Sequence, residues 1–191
     1  MPLEEYKSKR DFDRTREPPA GVKEGEGQEC PIFAIQKHDA SSSHYDFRLE
    51  SEGVLLSWAV PKGPSLDPAQ RRLAIMVEDH PVSYADFEGV ILEGEYGGGT
   101  VLLWDRGVYE PRTPVTEGLG EGHLEFELSG EKLRGAWALI RVNGEGGKNW
   151  LLVKMKDDAV DRNRDILSDR PESVLSGRTI EEIAKEEGEG Q

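Results

Sequence analysis

The segment His44-Tyr45-Asp46-Phe47-Arg48-Leu49-Glu50 alternates between polar and apolar side chains. A period of two is typical of a β-strand, because successive side chains on a strand point to opposite faces. One face of this strand is apolar and is predicted to pack into a core. The other face presents two potential metal ligands and a cation, in the order His44, Asp46 and Arg48. The segment therefore predicts a sheet and a functional site on one face of it.

Short apolar or alternating runs of the same kind recur along the chain. The predicted strands cover residues 31–36, 44–50, 54–60, 73–78, 100–104, 123–128, 133–142 and 150–155. Glycine- and proline-rich turns are predicted at residues 61–64, 97–99, 143–144 and 146–147. No long helical pattern separates the strands, so a parallel α/β sheet is disfavoured. The pattern predicts a mainly β protein built as a closed or nearly closed antiparallel β-barrel.

The predicted barrel, residues 30–157, is flanked by two segments of different composition. Residues 1–29 are polar and lack apolar periodicity, which predicts an N-terminal arm that is partly extended. Residues 158–191 are predicted to form a C-terminal extension with a short helix and an acidic tail. Thr179 and Glu182 have the spacing of a capping box ahead of Ile180 and Ile183, which predicts where that helix begins.

The chain has 191 residues and a net charge of −14, from 38 acidic and 24 basic residues. This balance argues against a protein that coats nucleic acid, because such proteins hold phosphates with an excess of Lys and Arg. The negative net charge is compatible with an enzyme that binds one end of a strand, since a basic pocket or a metal ion can dominate the local electrostatic field. The only cysteine, Cys30, excludes an intrachain disulfide and fits a reducing cytoplasm. No secretory signal and no membrane span are predicted.

Three potential metal ligands are close in the sequence. His38 lies across a serine-rich turn from His44 and could fold back beside His44 and Asp46. Two imidazoles and one carboxylate form a facial triad, which suits Mn²⁺ or Fe²⁺ and leaves positions open for water and substrate. Arg48 would lie next to the metal, where its guanidinium could form a bidentate contact with a phosphate. A half-exposed strand with a solvated polar face has the same spacing and remains an alternative.

A second candidate is His80, which follows the apolar run 73–77. An imidazole titrates near pH ~6.5, so His80 could act as a general acid, although a loop histidine that caps a turn before Pro81 is the alternative. Lys62 and Arg72 are further cations that could meet a phosphate or could simply be solvated. The four tryptophans, Trp58, Trp104, Trp137 and Trp150, lie in apolar strands and are predicted to be core residues. Gly97–Gly99 is interpreted as a turn, and His123 as a surface residue.

Several blocks of the chain resemble the 3′-phosphoesterase domain of DNA ligase D. The blocks are Phe33–Ala40, His44–Glu50, Ser57–Pro64, Glu78–Pro81, Tyr84–Gly89 and Glu93–Gly97. The arm segments Lys9–Phe12 and Glu17-Pro18 are similar to that family's N-terminal segment. The similarity runs from about Tyr6 to Lys156, and the blocks occur in the family's order. The resemblance is therefore specific.

The resemblance implies a β-barrel, an Mn²⁺ cofactor and two linked activities, with other divalent transition metals left open. One activity removes a 3′-terminal ribonucleoside from DNA and leaves a 3′-phosphate, and the other converts that phosphate to a 3′-hydroxyl. The metal ligands implied are His38, His44 and Asp46, and the phosphate-binding and catalytic side chains are Arg48, His80 and Tyr84. Further active-site positions are Gln36, Lys62 and Arg72, with Lys62 also expected to be catalytic. Arm residues tied to the diesterase step are Arg10, Asp11 and Glu17.

The implied substrate is the 3′ end of a DNA primer–template that carries a ribonucleotide or a phosphate. A DNA ligase or polymerase and a Ku-like end-binding protein are candidate partners. The segment 171–179 resembles the linker that precedes the ligase module in the fused proteins. One departure is Ser42-Ser43, where the family commonly has Arg-Leu, so this chain lacks the cation that the family has at that position.

Two other functions remain open at this point. An Fe²⁺-dependent oxygenase would combine the pair His44 and Asp46 with a distant His and Arg, for which His123 and Arg134 are the candidates. It leaves His38, His80 and the basic turn at Lys62 unexplained. A non-catalytic module that binds DNA ends would retain the phosphate contacts without turnover.

Overall fold

The computed structural model of the protein describes residues 3–20, 30–142 and 147–188. Its strands are β1 (Ile32–Asp39), β2 (Ser43–Ser51), β3 (Val54–Val60), β4 (Arg72–Met76), β5 (His80–Pro81), β6 (Gly89–Ile91), β7 (Gly99–Pro111), β8 (His123–Gly130), β9 (Arg134–Arg141) and β10 (Asn149–Lys154). Its helices are α1 (Glu4–Ser8), α2 (Val115–Glu121), α3 (Ile166–Asp169) and α4 (Ile180–Gly188), with a 3₁₀ helix at Val82–Asp86. The described part of the chain contains no helix long and apolar enough to cross a membrane.

Eight strands close into an antiparallel barrel in the order β1-β2-β3-β4-β10-β9-β8-β7, and β7 pairs back onto β1. The short strands β5 and β6 lie outside this ring and pair with β3 and β7. The hairpin between β2 and β3 turns at Glu52 and Gly53, whose φ angles of 50° and 79° suit the two-residue type I′ turn. The predicted closed antiparallel barrel is confirmed.

The barrel interior is filled by the inward faces of its strands. On β2 the apolar residues Tyr45, Phe47 and Leu49 all belong to this interior core, as the alternation predicts. The four tryptophans, at residues 58, 104, 137 and 150, are buried in the same core, which confirms their predicted role. The outward-facing side chains of β1, β2 and β3 are therefore available for contacts with segments outside the barrel.

A second, smaller apolar cluster lies on the outside of the barrel. It joins Leu55 and Leu103 to Tyr6 of the arm and to Tyr84 and Phe87 near the 3₁₀ helix. These covering segments also bury the polar face of β2, because Asp46 is only 7% exposed and Arg48 only 2%. The alternative of a solvated polar face is wrong for these two residues.

The structure differs from the predicted elements where local signals are weak. The arm was predicted to be partly extended, but it contains α1, which buries Tyr6. Strand β7 continues to Pro111, well past the predicted end at Trp104, although residues 105–107 are Asp-Arg-Gly. Helix α2 was not predicted, since its seven residues include two glycines, which lower helix propensity. The turn predicted at 143–144 lies outside the described residues, as does residue 146 of the turn predicted at 146–147.

The C-terminal extension packs against the barrel and includes the predicted helix. The Thr179 amide donates to Glu182 Oε2 at 2.8 Å, and the Glu182 amide donates to Thr179 Oγ1 at 3.4 Å. This is the predicted capping box, and Ile180 and Ile183 are buried and belong to the same apolar cluster as the barrel core. The division into arm, barrel and extension stays a prediction. Described parts of both flanking segments contribute buried residues, such as Tyr6 and Ile183, and therefore pack with the barrel.

Candidate metal and phosphate site

The hairpin formed by β1 and β2 brings the three predicted metal ligands together on the outer face of the barrel. His38 is the direct cross-strand partner of His44, and their ring centroids are 4.9 Å apart. Asp46 Oδ2 lies 3.9 Å from His38 Nδ1, and Asp46 Oδ1 lies 3.6 Å from His44 Nε2. All three ligand atoms fall within 4.8 Å of one another. The predicted approach of His38 across the serine-rich turn is thus observed.

Backbone carbonyls orient both imidazoles. His38 Nε2 is 2.8 Å from the Gly97 carbonyl, and His44 Nδ1 is 2.9 Å from the Ser42 carbonyl. A carbonyl only accepts, so these nitrogens carry the ring protons and the opposite nitrogens direct their lone pairs at Asp46. Metal-binding histidines are held in this way, and two imidazoles with one carboxylate suit a first-row divalent ion. Burial holds the pKa of His38 below its usual range, which keeps it neutral as a ligand must be. The donor set therefore fits the expected cofactor.

Arg48 is held beside these ligands by three side chains. Its Nε donates to Gln36 Oε1 at 2.7 Å, its Nη1 to Ser57 Oγ at 2.7 Å and its Nη2 to Asp46 Oδ2 at 3.1 Å. The Tyr84 ring centroid lies 4.9 Å from the guanidinium carbon. A guanidinium has five N–H donors, and three are used here, so one remains on each Nη. Two donors are sufficient for a bidentate contact with a phosphate in the adjoining cavity.

Gln36 lies behind Arg48 and is fully buried. Its Nε2 donates to the carbonyls of Tyr84 and Phe87, both at 2.9 Å, and its Oε1 accepts from Arg48. Because Gln36 does not line the cavity, the expectation that it contacts phosphate is not supported by this geometry. Its contacts instead fix the orientation of the Arg48 guanidinium and tie the 3₁₀ helix to β1.

His80 is buried, and both of its ring nitrogens have partners. Nδ1 lies 2.9 Å from the Glu78 carbonyl and donates to it, whereas Nε2 lies 3.3 Å from Arg10 Nη2 and accepts from it. Burial and the nearby Arg48 and Arg10 guanidinium groups hold the pKa of His80 well below its usual range. The imidazole is therefore neutral in this structure. Its ring packs 4.8 Å from that of Tyr84, and burial raises the pKa of the Tyr84 phenol well above its usual range.

The arm contributes Arg10 and Glu17 to the cavity. These two side chains form an ion pair at 2.8 Å with only 5% and 1% exposure, and the Arg10 guanidinium carbon lies 3.8 Å from the Tyr6 ring centroid. The third arm candidate, Asp11, is exposed, and its Oδ1 accepts from the Asp13 amide at 3.1 Å. Asp11 does not line the cavity, so the structure separates it from the other two arm residues.

The predicted cations Lys62 and Arg72 are not part of this site. Both line a separate groove, whereas the cavity beside the metal ligands contains neither. The structure thus places Lys62 and Arg72 outside this cavity, and their contact with the scissile phosphate stays a prediction without support from this geometry. The reason is that Lys62 lies in the turn beyond the end of β3, and Arg72 begins β4 at the end away from His80.

Three residues of the site received no role in the sequence analysis. Ser57 is fully buried and accepts from Arg48, and a lone serine within the apolar strand Val54–Val60 was the available signal. The Glu78 carboxylate lies 3.5 Å from Arg10 and 3.2 Å from Lys9. Tyr96 lines the rim and is 46% exposed. The complete cavity encloses about 290 Å³.

The oxygenase alternative does not fit this arrangement. His123 lies on β8, is exposed and pairs with Glu125 at 3.1 Å. The one ligand cluster found in the described part of the chain consists of His38, His44 and Asp46, without His123. Arg134 lines a different cavity from these ligands. His123 and Arg134, the residues named for this alternative, thus lie outside the site in the described part of the chain.

Comparison with known proteins gives a family match across the site. Residues 36–141 match the family described as the DNA ligase D 3′-phosphoesterase domain. The multifunctional non-homologous end joining protein LigD of Pseudomonas aeruginosa is 55% identical over an alignment of 183 residues, and the match covers 94% of this chain and 22% of that protein. The Mycobacterium tuberculosis LigD, a multifunctional non-homologous end joining DNA repair protein, is 43% identical over 81% of this chain and 20% of that protein. The chain spans about a fifth of the length of these relatives.

Proposed function

The chain belongs to the DNA ligase D 3′-phosphoesterase domain family, and from this premise we propose that it heals DNA 3′ ends in two steps. The first step removes a 3′-terminal ribonucleoside and leaves a 3′-phosphate, and the second removes that phosphate to give a 3′-hydroxyl. The observation that carries the proposal is that the three potential metal ligands His38, His44 and Asp46 lie beside the Arg48 guanidinium. Two N–H groups of this guanidinium, one on each Nη, remain free to bind an anion. Such a pair is suited to a phosphoryl group.

His38, His44 and Asp46 would hold a divalent transition ion, and we propose Mn²⁺. A bound ion of this kind supplies Lewis-acid stabilisation to phosphoryl oxygens. Arg48 would contact the non-bridging phosphoryl oxygens with its two remaining N–H groups and offset the charge that develops there. The buried Tyr84 phenol, which stays protonated because its pKa is raised, would donate a further hydrogen bond to the same group.

His80 is proposed to protonate the leaving oxygen. In the present structure its Nε2 is unprotonated and accepts from Arg10, so this role requires a change on substrate binding. A phosphate dianion between Arg48 and Arg10 would offset the positive charges that lower the His80 pKa and would compete for the Arg10 donor. Both effects favour a proton on Nε2, which would then be available to the leaving oxygen.

The proposed substrate is a primer–template with a ribonucleotide or a phosphate at its 3′ end. A DNA ligase or polymerase that seals or extends the healed end, and a Ku-like end-binding protein, are the proposed partners. The carboxylates of Glu17 and Glu78 line the cavity together with Arg10 of the arm, and we propose that they would accept from the 2′-hydroxyl of a terminal ribonucleoside. This would account for a ribonucleotide requirement in the first step.

The test is release of nucleoside and phosphate from such substrates with and without Mn²⁺. The wild-type protein should act only with the metal, and His44→Ala should lose both activities and bind Mn²⁺ roughly a hundredfold more weakly, since even indirect ligand partners contribute 10–100-fold. His123→Ala, which removes an exposed histidine outside the site, is the matched control and should behave as wild type. Tight binding of DNA ends without product release would instead identify a non-catalytic end-binding module.

A further inference from the structure

A second basic groove lies beside the candidate active site and is not used by the proposed chemistry. It encloses about 520 Å³ between the turn after β3, the start of β4 and the segment before α3. Four cations line it, opposed by one lining acid, Asp165; the cations are Lys62, Arg72, Arg162 and Arg164. In a chain with a net charge of −14, this is a local reversal of sign. Local fields of this kind attract anions.

Arg72 carries the clearest sign that the groove is made for an anion. Its Nη2 donates to Gln70 Oε1 at 2.6 Å, but its buried Nε has no hydrogen-bond partner among the residues that the structure describes. A buried donor without a partner is destabilising by about 1–3 kcal/mol, so such groups are normally satisfied by a ligand or by water. Asp165 lies near Arg72 but is not a hydrogen-bond partner of this Nε; its carboxylate accepts from the Leu167 amide and from Ser168 at the start of α3.

The two arginines from the C-terminal extension are exposed and only partly paired. Arg162 Nε lies 3.6 Å from Asp67, and its side chain is 64% exposed. Arg164 Nε lies 2.9 Å from Asp169, and both side chains are substantially exposed. Surface pairs of this kind contribute little, about 0–1 kcal/mol. A phosphate could therefore take over these cations at small cost.

The groove is close to the metal ligands. Val60 at the end of β3 pairs with Tyr45, the residue after His44, and Lys62 follows in the adjoining turn. The turn is packed tightly, because a Cβ at Gly63 would lie 2.9 Å from Tyr45 Cδ2 and 2.6 Å from Leu167 Cδ1. With strands about 4.8 Å apart and a rise of about 3.3 Å per residue, the groove begins on the order of 10 Å from His44.

We propose that this groove binds the phosphodiester backbone of the strand whose 3′ end occupies the active site, a few nucleotides from that end. The proposal rests on the proposed function, since it supplies the second contact point for the same DNA. Its described lining consists of charged, polar and aliphatic residues with no aromatic side chain, so base stacking is not expected there. Backbone contacts of this type position a nucleic acid without reading its sequence. Lys62 and Arg72 thus act on the substrate away from the scissile phosphate.

The test compares the double variant Arg162→Gln/Arg164→Gln with wild type in binding a primer–template that ends in a 3′-hydroxyl, so that no turnover occurs. Fluorescence anisotropy over a range of salt concentrations should give several-fold weaker binding. The slope of log affinity against log salt should fall by about 1 for each lost phosphate contact. Wild type should gain affinity as the oligonucleotide is lengthened past the groove, and the double variant should gain much less. The affinity for inorganic phosphate alone should differ less between the double variant and wild type than the affinity for the primer–template does.

The control variant is Arg112→Gln, which removes an exposed arginine paired with Glu125 outside the groove and should leave binding unchanged. The double variant should hydrolyse a small nitrophenyl phosphate ester like wild type, which shows that it is folded. Unchanged affinity, salt slope and length dependence in the double variant of an active protein would overturn the groove assignment alone. A wild-type protein that releases nothing from any 3′ end would overturn the proposed function, and this proposal with it.

Discussion

Asp46 divides its two carboxylate oxygens between the proposed metal site and the proposed phosphate site. Oδ1 faces His44, while Oδ2 faces His38 and accepts from Arg48 at 3.1 Å. Because Asp46 is hydrogen-bonded to Arg48, a shift of this carboxylate would change the proposed metal site and the position of the Arg48 guanidinium together. Because Arg48 is also held by Gln36 and Ser57, the guanidinium is oriented before substrate arrives. Pre-oriented donors of this kind need no reorganisation during the reaction.

His80 and Arg48 are expected to fail in different ways when they are removed. If His80 delivers a proton, His80→Ala should lose about 10²–10⁴-fold on a 3′-phosphorylated primer, whose alkoxide leaving group needs that proton. The same variant should be much less impaired on a nitrophenyl phosphate ester, because nitrophenolate leaves largely unassisted. The rate constants of the two reactions, measured under conditions where chemistry limits both, provide the comparison.

Arg48→Ala is the companion variant and should slow both substrates alike, since Arg48 is proposed to hold the phosphoryl group itself. Its folding needs an independent check, because Arg48 is buried and supports Gln36 and Ser57. Equal losses on both substrates in His80→Ala would contradict the proton-donor role and leave His80 as a phosphate contact.

The burial of His80 also predicts how stability depends on pH. Its folded pKa is held well below the usual value by burial and by Arg48, so in mildly acidic solution only the unfolded chain binds the proton. Stability should therefore fall as the pH falls below about 6.5, by up to roughly 1.4 kcal/mol per pH unit from this group. His80→Asn cannot titrate and should lose less stability than wild type over the same range.

Urea unfolding at neutral and mildly acidic pH measures the difference. His123→Asn serves as the control, because that histidine is exposed and should leave the pH profile as in wild type. Parallel profiles for wild type and His80→Asn would mean that His80 has an ordinary pKa in the folded protein.

At the scale of elements, the arm is both a cover and a part of the site. Tyr6 is completely buried in the outer apolar cluster, and its hydroxyl donates to the Pro18 carbonyl at 2.7 Å. Deleting the whole arm would uncover this cluster, so loss of both activities in such a truncation would not separate folding from function. Single substitutions at the Arg10–Glu17 pair are the sharper probe.

Glu17→Gln is expected to harm the diesterase step more than the monoesterase step. The variant keeps the size of the side chain but weakens its charge-assisted contact with Arg10, worth about 1.5–3 kcal/mol, which corresponds to roughly 10–100-fold if the contact matters only for placing the ribonucleoside. Product analysis on matched 3′-ribonucleotide and 3′-phosphate primers gives the ratio of the two activities. Glu4→Gln, at an exposed position of α1, should leave that ratio unchanged. An equal decrease of both activities in Glu17→Gln would indicate a structural role for the arm.

At the scale of the whole molecule, the described part of the C-terminal extension is bound to the barrel at several points. Trp104 Nε1 and Lys132 Nζ both donate to the Arg170 carbonyl, at 2.7 Å and 2.9 Å. The Val174 amide donates to the Leu103 carbonyl at 2.9 Å. Burial lowers the pKa of Lys132 to about 8, which is consistent with its enclosed position against Trp104 and the extension. The Asp161 amide also donates to the Leu66 carbonyl at 3.2 Å, which holds the segment that carries Arg162 and Arg164 near the turn at Lys62.

The extension should consequently contribute to the stability of the barrel. Ile183 in α4 is fully buried, and Ile183→Ala is expected to lower the free energy of unfolding by about 2–5 kcal/mol through lost burial and a cavity. Leu175→Ala, at a position that is 48% exposed, should change it by less than about 0.5 kcal/mol. Urea denaturation of the two variants provides the comparison. A change at Ile183 as small as that at Leu175 would show that α4 is not part of the cooperative unit.

Much of the fold and of the metal site could be predicted from the sequence because both depend on local patterns. The period of two in β2 decides which face of the strand is apolar, and neighbouring strands repeat the signal. The serine-rich turn between β1 and β2 makes a hairpin, so His38 and His44 meet by local geometry alone. The start of α4 follows from Thr179 and Glu182, which interact within one turn of helix. Each of these features involves residues close together in the chain.

The remaining features depend on packing between distant segments, which leaves no local signal. Arg10 reaches His80 only because the arm packs over the outer face of the barrel, 70 residues away in the chain. In the sequence, Lys62 and Arg72 are phosphate-binding candidates just as Arg48 is. In the structure they line a separate groove, which is formed together with residues 162–167 of the extension. A sequence pattern specifies the face of a strand on which a side chain lies. The groups that surround this side chain, and hence its charge state and its ligand, are decided by the tertiary contacts that bury it.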